Sequence, residues 1–196
     1  MNLELEHLAQ YLETPRLVLR AFEPADAVRL FAVVEASRAH LERWLNWPRQ
    51  MTSVEAVECW AGRPYDATEA FRMGLYAKAD GDLVGAAGLQ VRSISPRSAW
   101  RWVDISYWLA AGSLGRGYTT EAARRLAVHA FDDLAAPRVE IRTEAGNTRS
   151  ARVAERLGFH REGVLRGVSQ FDGRVIDLAF FALLGEERAV LDTGSA

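Results

Sequence analysis

Two Asp-Gly pairs do most to limit what this chain can become. Asp80-Gly81 stands between apolar stretches at 71–77 and 83–91, and Asp172-Gly173 stands between 164–171 and 175–184. Asp-Gly supplies the positive φ that a tight hairpin needs at its centre, so each pair predicts two antiparallel strands joined by a short turn. Whatever lies between the pairs must join a sheet that already holds antiparallel strands.

What lies between them changes period. Residues 101–109 alternate, are rich in aromatics and read as a strand, which runs directly into a glycine-containing loop from Gly112 to Gly117. Ala122, Ala123, Leu126, Ala127, Ala130, Phe131 and Leu134 then hold helical spacing up to Pro137. Thr119 or Thr120 offers a hydroxyl cap for that helix, with Glu121 in its first turn. A strand at 139–143 and an amphipathic helix at 147–157, closed by Gly158, follow. Ahead of the first hairpin, a strand at 17–19 follows Thr14-Pro15, and Pro24 opens a helix that carries Val28, Leu30, Phe31 and Val34 toward His40. Residues 44–48 read as a loop or short helix, and 54–62 as a helix. The stretch 180–184, apolar on both parities, predicts a strand buried on both faces. The sum is a mixed α+β sheet. At 196 residues one domain is expected. It spans residues 14–186, with an N-terminal extension at 1–13 and a loose tail at 187–196.

Charge narrows the partners. With 24 Lys+Arg against 26 Asp+Glu, the formal charge of −2 gives no electrostatic reason to bind nucleic acid or an anionic membrane. The one cysteine, Cys59, cannot make an internal disulfide and reads as a buried small hydrophobe. His7, His40, His129 and His160 lie too far apart in sequence for zinc-ligand spacing, so no metal is expected. His40 and His129 sit in helical patterns and read as structural rather than catalytic. There is neither a signal-peptide pattern nor an apolar run near the roughly 18 residues of a membrane span, which makes the cytoplasm the expected address.

Leu114-Gly115-Arg116-Gly117-Tyr118-Thr119-Thr120 leaves a strand and enters a helix. Its backbone N–H groups and the positive end of the helix dipole are suited to an anion such as a pyrophosphate, although a plain structural turn has the same local pattern. Neither a complete G-x-G-x-x-G nor a G-x-x-x-x-G-K-[ST] is present.

Downstream, the string Asn147-Thr148-Arg149-Ser150-Ala151-Arg152-Val153-Ala154-Glu155-Arg156-Leu157-Gly158-Phe159 resembles the second cofactor-side helix of the GNAT superfamily of acyl-coenzyme A N-acyltransferases. The earlier loop then resembles that superfamily's pyrophosphate loop, [QR]-x-x-G-x-[GA], with Gly117 at the glycine. Leu114 stands where Gln or Arg is common, and Thr119 where a small residue is usual. Thr14-Pro15-Arg16-Leu17-Val18-Leu19-Arg20, His40-Leu41-Glu42-Arg43-Trp44-Leu45-Asn46-Trp47, Ile105-Ser106-Tyr107-Trp108-Leu109 and Tyr118-Thr119-Thr120-Glu121-Ala122 are similar to the ribosomal-protein N-terminal acetyltransferase (RimJ/RimL-like) branch. The resemblance covers residues 14–184.

It implies the GNAT fold, a mostly antiparallel sheet of about seven strands flanked by helices, splayed between the fourth strand (103–109) and the fifth (139–143). It implies acetyl-CoA as cosubstrate and direct attack of an amine on the thioester. The acceptor implied is the α-amine of a ribosomal or other protein. A small-molecule amine (antibiotic, polyamine or amino acid) and a non-catalytic acyl-CoA sensor remain as alternatives, and a homodimer is suggested. Cofactor contacts fall on Tyr107, Trp108, Leu109, Leu114, Gly115, Arg116, Gly117, Tyr118, Thr119, Thr120, Asn147, Arg149, Ser150 and Arg152. A main-chain N–H near Tyr107 and Trp108 would meet the thioester oxygen. Many members place an acid tyrosine where this chain has Ala154, which leaves Ser150 as the group near the sulfur and Asn147 as its polar partner. The branch's acid on the sixth strand is missing at Val168-Ser169-Gln170. Asp104 is then the nearest base, with an arginine-pairing role equally open, and Glu144, Asp172 and Asp177 are weaker choices. Trp44 and Trp47 are expected to line the acceptor cleft.

Overall fold

The computed structural model describes residues 3, 7–61, 71–93, 100–171 and 173–193. Asp172, among the weaker base candidates, lies outside them.

Among the described residues eight strands make one sheet: β1 (Tyr11–Glu13), β2 (Leu17–Ala21), β3 (Phe71–Ala77), β4 (Leu83–Ser93), β5 (Arg101–Leu109), β6 (Arg138–Glu144), β7 (His160–Phe171) and β8 (Arg174–Leu184). Their order is β1-β2-β3-β4-β5-β6-β8-β7. Every neighbouring pair is antiparallel except β5–β6, where the chain crosses over through a helix and the strands run parallel. Among the described residues four α-helices accompany the sheet: α1 (Ala27–Leu41), α2 (Val54–Ala61), α3 (Tyr118–Asp132) and α4 (Thr148–Arg156). Both predicted hairpins form, and Gly81 (φ +75°) and Gly173 (φ +72°) carry the positive φ that the turns require.

Strand alternation divides the core between the two faces. Leu17, Leu19, Val103, Ile105 and Leu109 join α3, α4 and the apolar residues of β8 in the larger core. Val18 and Trp108, on the opposite parity, pack with Leu30 and Val34 of α1 and Val57 of α2. The sheet is thus covered by α3 and α4 on one side and by α1 and α2 on the other.

The chain ends depart from expectation. Tyr11–Glu13 is a strand paired with β2, so the sheet begins inside the supposed extension, and every strand shifts up one number. A 3₁₀ stretch, Gly185–Asp192, packs back with Leu191 buried, and Arg188 is ion-paired to Asp132. Residues 187–192 are therefore docked rather than loose. Cys59 is exposed, because α2 buries Val57 and turns its cysteine outward. The hydroxyl cap expected for α3 is absent as well: Gly117 stands at the cap with φ +80° and no side-chain bond, and both threonines lie inside the first turn.

Candidate active site

β5 and β6 pair only from Val103 to Ile105 and from Val139 to Ile141. Beyond Ile105 the strands diverge, and the sheet has a gap where the two helix N-termini that follow them converge. Ala110 N–H donates to Val84 of β4, and the Trp108 carbonyl points at Gly85 so closely that an added Cβ there would lie 2.3 Å from it. Backbone polarity alternates along a strand, so the N–H groups of Tyr107 and Leu109 face the gap. The expectation of a free donor near Tyr107 and Trp108 is sharpened accordingly: the backbone of Trp108 belongs to β4.

A cavity of about 370 Å³ opens at this gap. Tyr107, Trp108 and Leu109 line it from β5, Leu114 and Thr119 from the glycine loop, and Gly146, Asn147, Thr148, Arg149, Ser150 and Val153 from α4 and its approach. The remaining wall is His40, Leu41, Arg43, Trp44 and Leu45, at and after the end of α1. Ser37, one turn before His40, accepts the Ala111 N–H at 3.0 Å through Oγ, which ties the end of α1 to the loop leaving β5.

Asn147 caps α4, its Oδ1 accepting the Ser150 N–H at 3.2 Å. Ser150 Oγ lies 3.1 Å from the Tyr107 phenol oxygen, which also reaches the Ser150 carbonyl at 3.2 Å. Burial pushes the Tyr107 hydroxyl up to about 12, with the Ser150 hydrogen bond acting in the opposite sense. The phenol therefore keeps its proton at neutral pH. Sequence reasoning assigned Tyr107 a backbone role only. Its hydroxyl stands beside Ser150, in the first turn of α4.

Gly115 (φ +77°) and Gly117 (φ +80°) shape the loop before α3, and nothing lies within 4 Å of a Cβ built on Gly115. The loop is held from outside. Glu121 accepts from Thr14 Oγ1 (2.5 Å), the Arg16 N–H (2.8 Å) and Arg16 Nε (2.6 Å), and Arg16 Nη1 donates to the Arg116 carbonyl (2.9 Å). Arg16 also lies over the Tyr118 ring. The first N–H groups of α3, at Tyr118, Thr119 and Thr120, have no side-chain cap, which suits them to an anion. Arg116, Arg149 and Arg152 are exposed, and of the three only Arg149 lines the cavity.

Other predicted residues are not brought in. Asp104 is buried on β5, where Oδ2 accepts from Arg92 Nη2 (3.2 Å) and Arg142 Nε (3.1 Å). This is the arginine-pairing role, and the residue is not part of the cavity wall. Asp177 accepts the Gly167 N–H out on the β7–β8 hairpin. Trp44 lines the cavity with Arg43 over its ring. Trp47 instead braces the wall from behind, 5.3 Å from the Trp108 ring and stacked on Trp60. His40, read as structural, lines the cavity, whereas His129 is structural: Nε2 accepts the Ala9 N–H, and Nδ1 lies 2.6 Å from Asp133. Among the described residues no three His, Cys, Asp or Glu side chains gather as a metal site, and no helix is long and apolar enough to cross a membrane.

A parted sheet, backbone donors at the parting and an uncapped helix behind a glycine loop together make a cleft suited to a carbonyl oxygen and an anionic group. Residues 16–160 match the acetyltransferase (GNAT) domain family, and the chain belongs to it. It is an N-acetyltransferase, and acetyl-CoA is the family's acyl donor. The putative ribosomal N-acetyltransferase YdaF of Bacillus subtilis (strain 168) is 32% identical over 176 residues, spanning 87% of this chain and 92% of its own length. A crystal structure of a probable acetyltransferase is 30% identical and superposes with a TM-score of 0.77, covering 90% of this chain and 98% of that one. Mycobacterium smegmatis RimJ, solved with CoA-disulfide, shares the fold at 24% identity and a TM-score of 0.77, covering 90% of this chain and 88% of its own.

Proposed function

We propose that this enzyme acetylates the N-terminal α-amine of a protein, a ribosomal protein being the leading acceptor, in the cytoplasm. The observation that carries this reading is the similarity to YdaF, which runs through nearly the whole of both chains. The cavity supports it chemically. No carboxylate lines it among the described residues, so the acceptor must give up its proton easily. At pH 7 on the order of a tenth of α-amines are neutral, against fewer than about one lysine in a thousand.

Acetyl-CoA supplies an activated acetyl group; the chain's residues do the rest. The N–H groups of Thr119 and Thr120 and the glycine loop receive the pyrophosphate, with Arg116 and Arg152 at its margin. The Tyr107 and Leu109 N–H groups face the position where the carbonyl oxygen gathers charge, a contribution worth a few kcal/mol in comparable sites. The acceptor nitrogen bonds the acetyl carbon as the carbon–sulfur bond breaks. Ser150 Oγ donates to the departing sulfur, and the Tyr107 phenol donates to Ser150 in turn. Ser150 stands in the first turn of α4, where the helix dipole favours a thiolate.

Isothermal titration with acetyl-CoA, followed by thiol-release assays on peptides with free N-termini, polyamines and aminoglycosides, tests the reading. Turnover is expected on the peptides. Turnover confined to small amines would move the acceptor to that class, and binding without turnover on any amine would favour a sensor.

A further inference from the structure

Loss of a proton from the acceptor nitrogen is the one step the residues above do not serve. A base must lie in the cavity wall and be unprotonated near neutral pH. The titratable and charged groups on that wall are His40 and Arg43 from the end of α1, Tyr107 from β5 and Arg149 from α4. Arginine does not deprotonate, and burial keeps the Tyr107 phenol protonated. Among the described residues an imidazole remains.

We propose that His40 is the general base of the reaction: its ring takes the proton from the acceptor amine as the nitrogen bonds the acetyl carbon. The proposal rests on amine acetylation at this cavity and not on which amine is used. Three features place His40 for this role. The Ser37–Ala111 bond fixes the last turn of α1, which carries His40, against the loop leaving β5, and His40 lines the cavity there. Among the described residues neither ring nitrogen has a hydrogen-bond partner, whereas both nitrogens of His129 are engaged. Arg149, next to Ser150 in sequence, acts electrostatically on His40 from α4. Burial first, and that guanidinium second, hold the imidazole below its ordinary value, so it stands neutral and ready to accept.

The balance is simple. One acetyl carbon–nitrogen bond forms and one carbon–sulfur bond breaks. A proton leaves nitrogen for His40, and the sulfur is protonated from the Ser150 side. His40 then returns its proton to water, and water restores the proton that the Ser150 side gave to the sulfur. A base that titrates below neutrality matches an α-ammonium, with a pKa near 8, far better than a lysine ammonium near 10.4.

Glu144 is the rival, because its Oε2 is buried without a hydrogen-bond partner. It lies at the end of β6, outside the cavity wall, with Oε1 3.8 Å from Arg174. The test compares His40→Gln, His40→Ala and Glu144→Gln with wild type, measuring kcat/KM from pH 5.5 to 9.5 on a peptide with a free N-terminus and a small primary amine, alongside acetyl-CoA titration. Wild type should show an acid limb set by His40. His40→Gln should lose about 100-fold at pH 7 with acetyl-CoA affinity within threefold, and its rate should follow the amine's own titration. Added imidazole should partly restore His40→Ala, a response that a structural role would not give. A His40→Gln profile that matches wild type, or transfer of these effects to Glu144→Gln, overturns the proposal alone. Wild type that binds acetyl-CoA yet acetylates neither amine overturns the functional reading and this proposal with it.

Discussion

α3 and α4 both begin beside the same cavity, each following a strand of the parted sheet, yet they treat their first N–H groups in opposite ways. At α4, Asn147 turns its side chain inward and accepts the Ser150 N–H. At α3, Gly117 has no side chain to turn, and the first-turn donors stay open. The dipoles have the same sense, so one cap residue decides the use. A helix that satisfies its own donors becomes a rigid mount for a side chain, here Ser150; a helix that leaves them open becomes a receptor for charge.

The contrast is tested most severely by Gly117→Glu. It forces an L side chain to φ +80°, costing about 1–2 kcal/mol of stability, and sets a carboxylate among the donors. The acetyl-CoA Kd should rise about 100-fold by titration, and a change under threefold would remove α3 as the phosphate receptor. Ser150→Ala attacks the other helix, with kcat expected to fall about 100-fold and acetyl-CoA affinity within threefold. Tyr107→Phe should cost roughly a tenth of that, because Ser150 keeps its own hydroxyl; equal losses would make the phenol the acid itself. A smaller effect is expected of Asn147→Ala, about 1 kcal/mol from the lost cap, read as a Tm lower by about 2–4 °C.

The smallest effect concerns pH. Burial pushes the Glu121 carboxyl up, but hydrogen bonds from Thr14 and from the Arg16 backbone and guanidinium outweigh it and hold it below its ordinary value. The stabilisation this gives is fully present above the ordinary carboxylate range and is lost as pH falls through the lowered value. Glu121→Gln should flatten the acid limb of thermal stability. An unchanged limb would mean that these bonds do not anchor the start of α3.

Local chemistry explains what the sequence made legible. Both hairpins, the glycine loop, α3, α4 and the Asn147–Ser150 pair each depend on residues within a few positions of one another. β1 was missed because three residues, Tyr11–Glu13, carry too little pattern without the partner strand that defines them. The outward turn of Cys59 follows from which face of α2 meets α1. Tyr107 meets Ser150 across 43 residues, and His40 joins them from the far side of the chain. Asp104 looked like a base because nothing local shows that Arg92 and Arg142 converge on it from the strands on either side. The cavity wall is a product of topology, and no spacing rule encodes it.

A sheet parted in its middle has four edges, where a continuous one has two. The inner edges here carry backbone amides at Tyr107 and Leu109 that belong to a central strand by position and to a rim by bonding. Hydrogen–deuterium exchange should find them fast while Val103 and Ile105 on the same strand stay protected, and acetyl-CoA should slow them. Filling the parting also adds binding free energy to the folded state alone, so resistance to unfolding should rise with donor concentration, and the fold should report how well it is supplied.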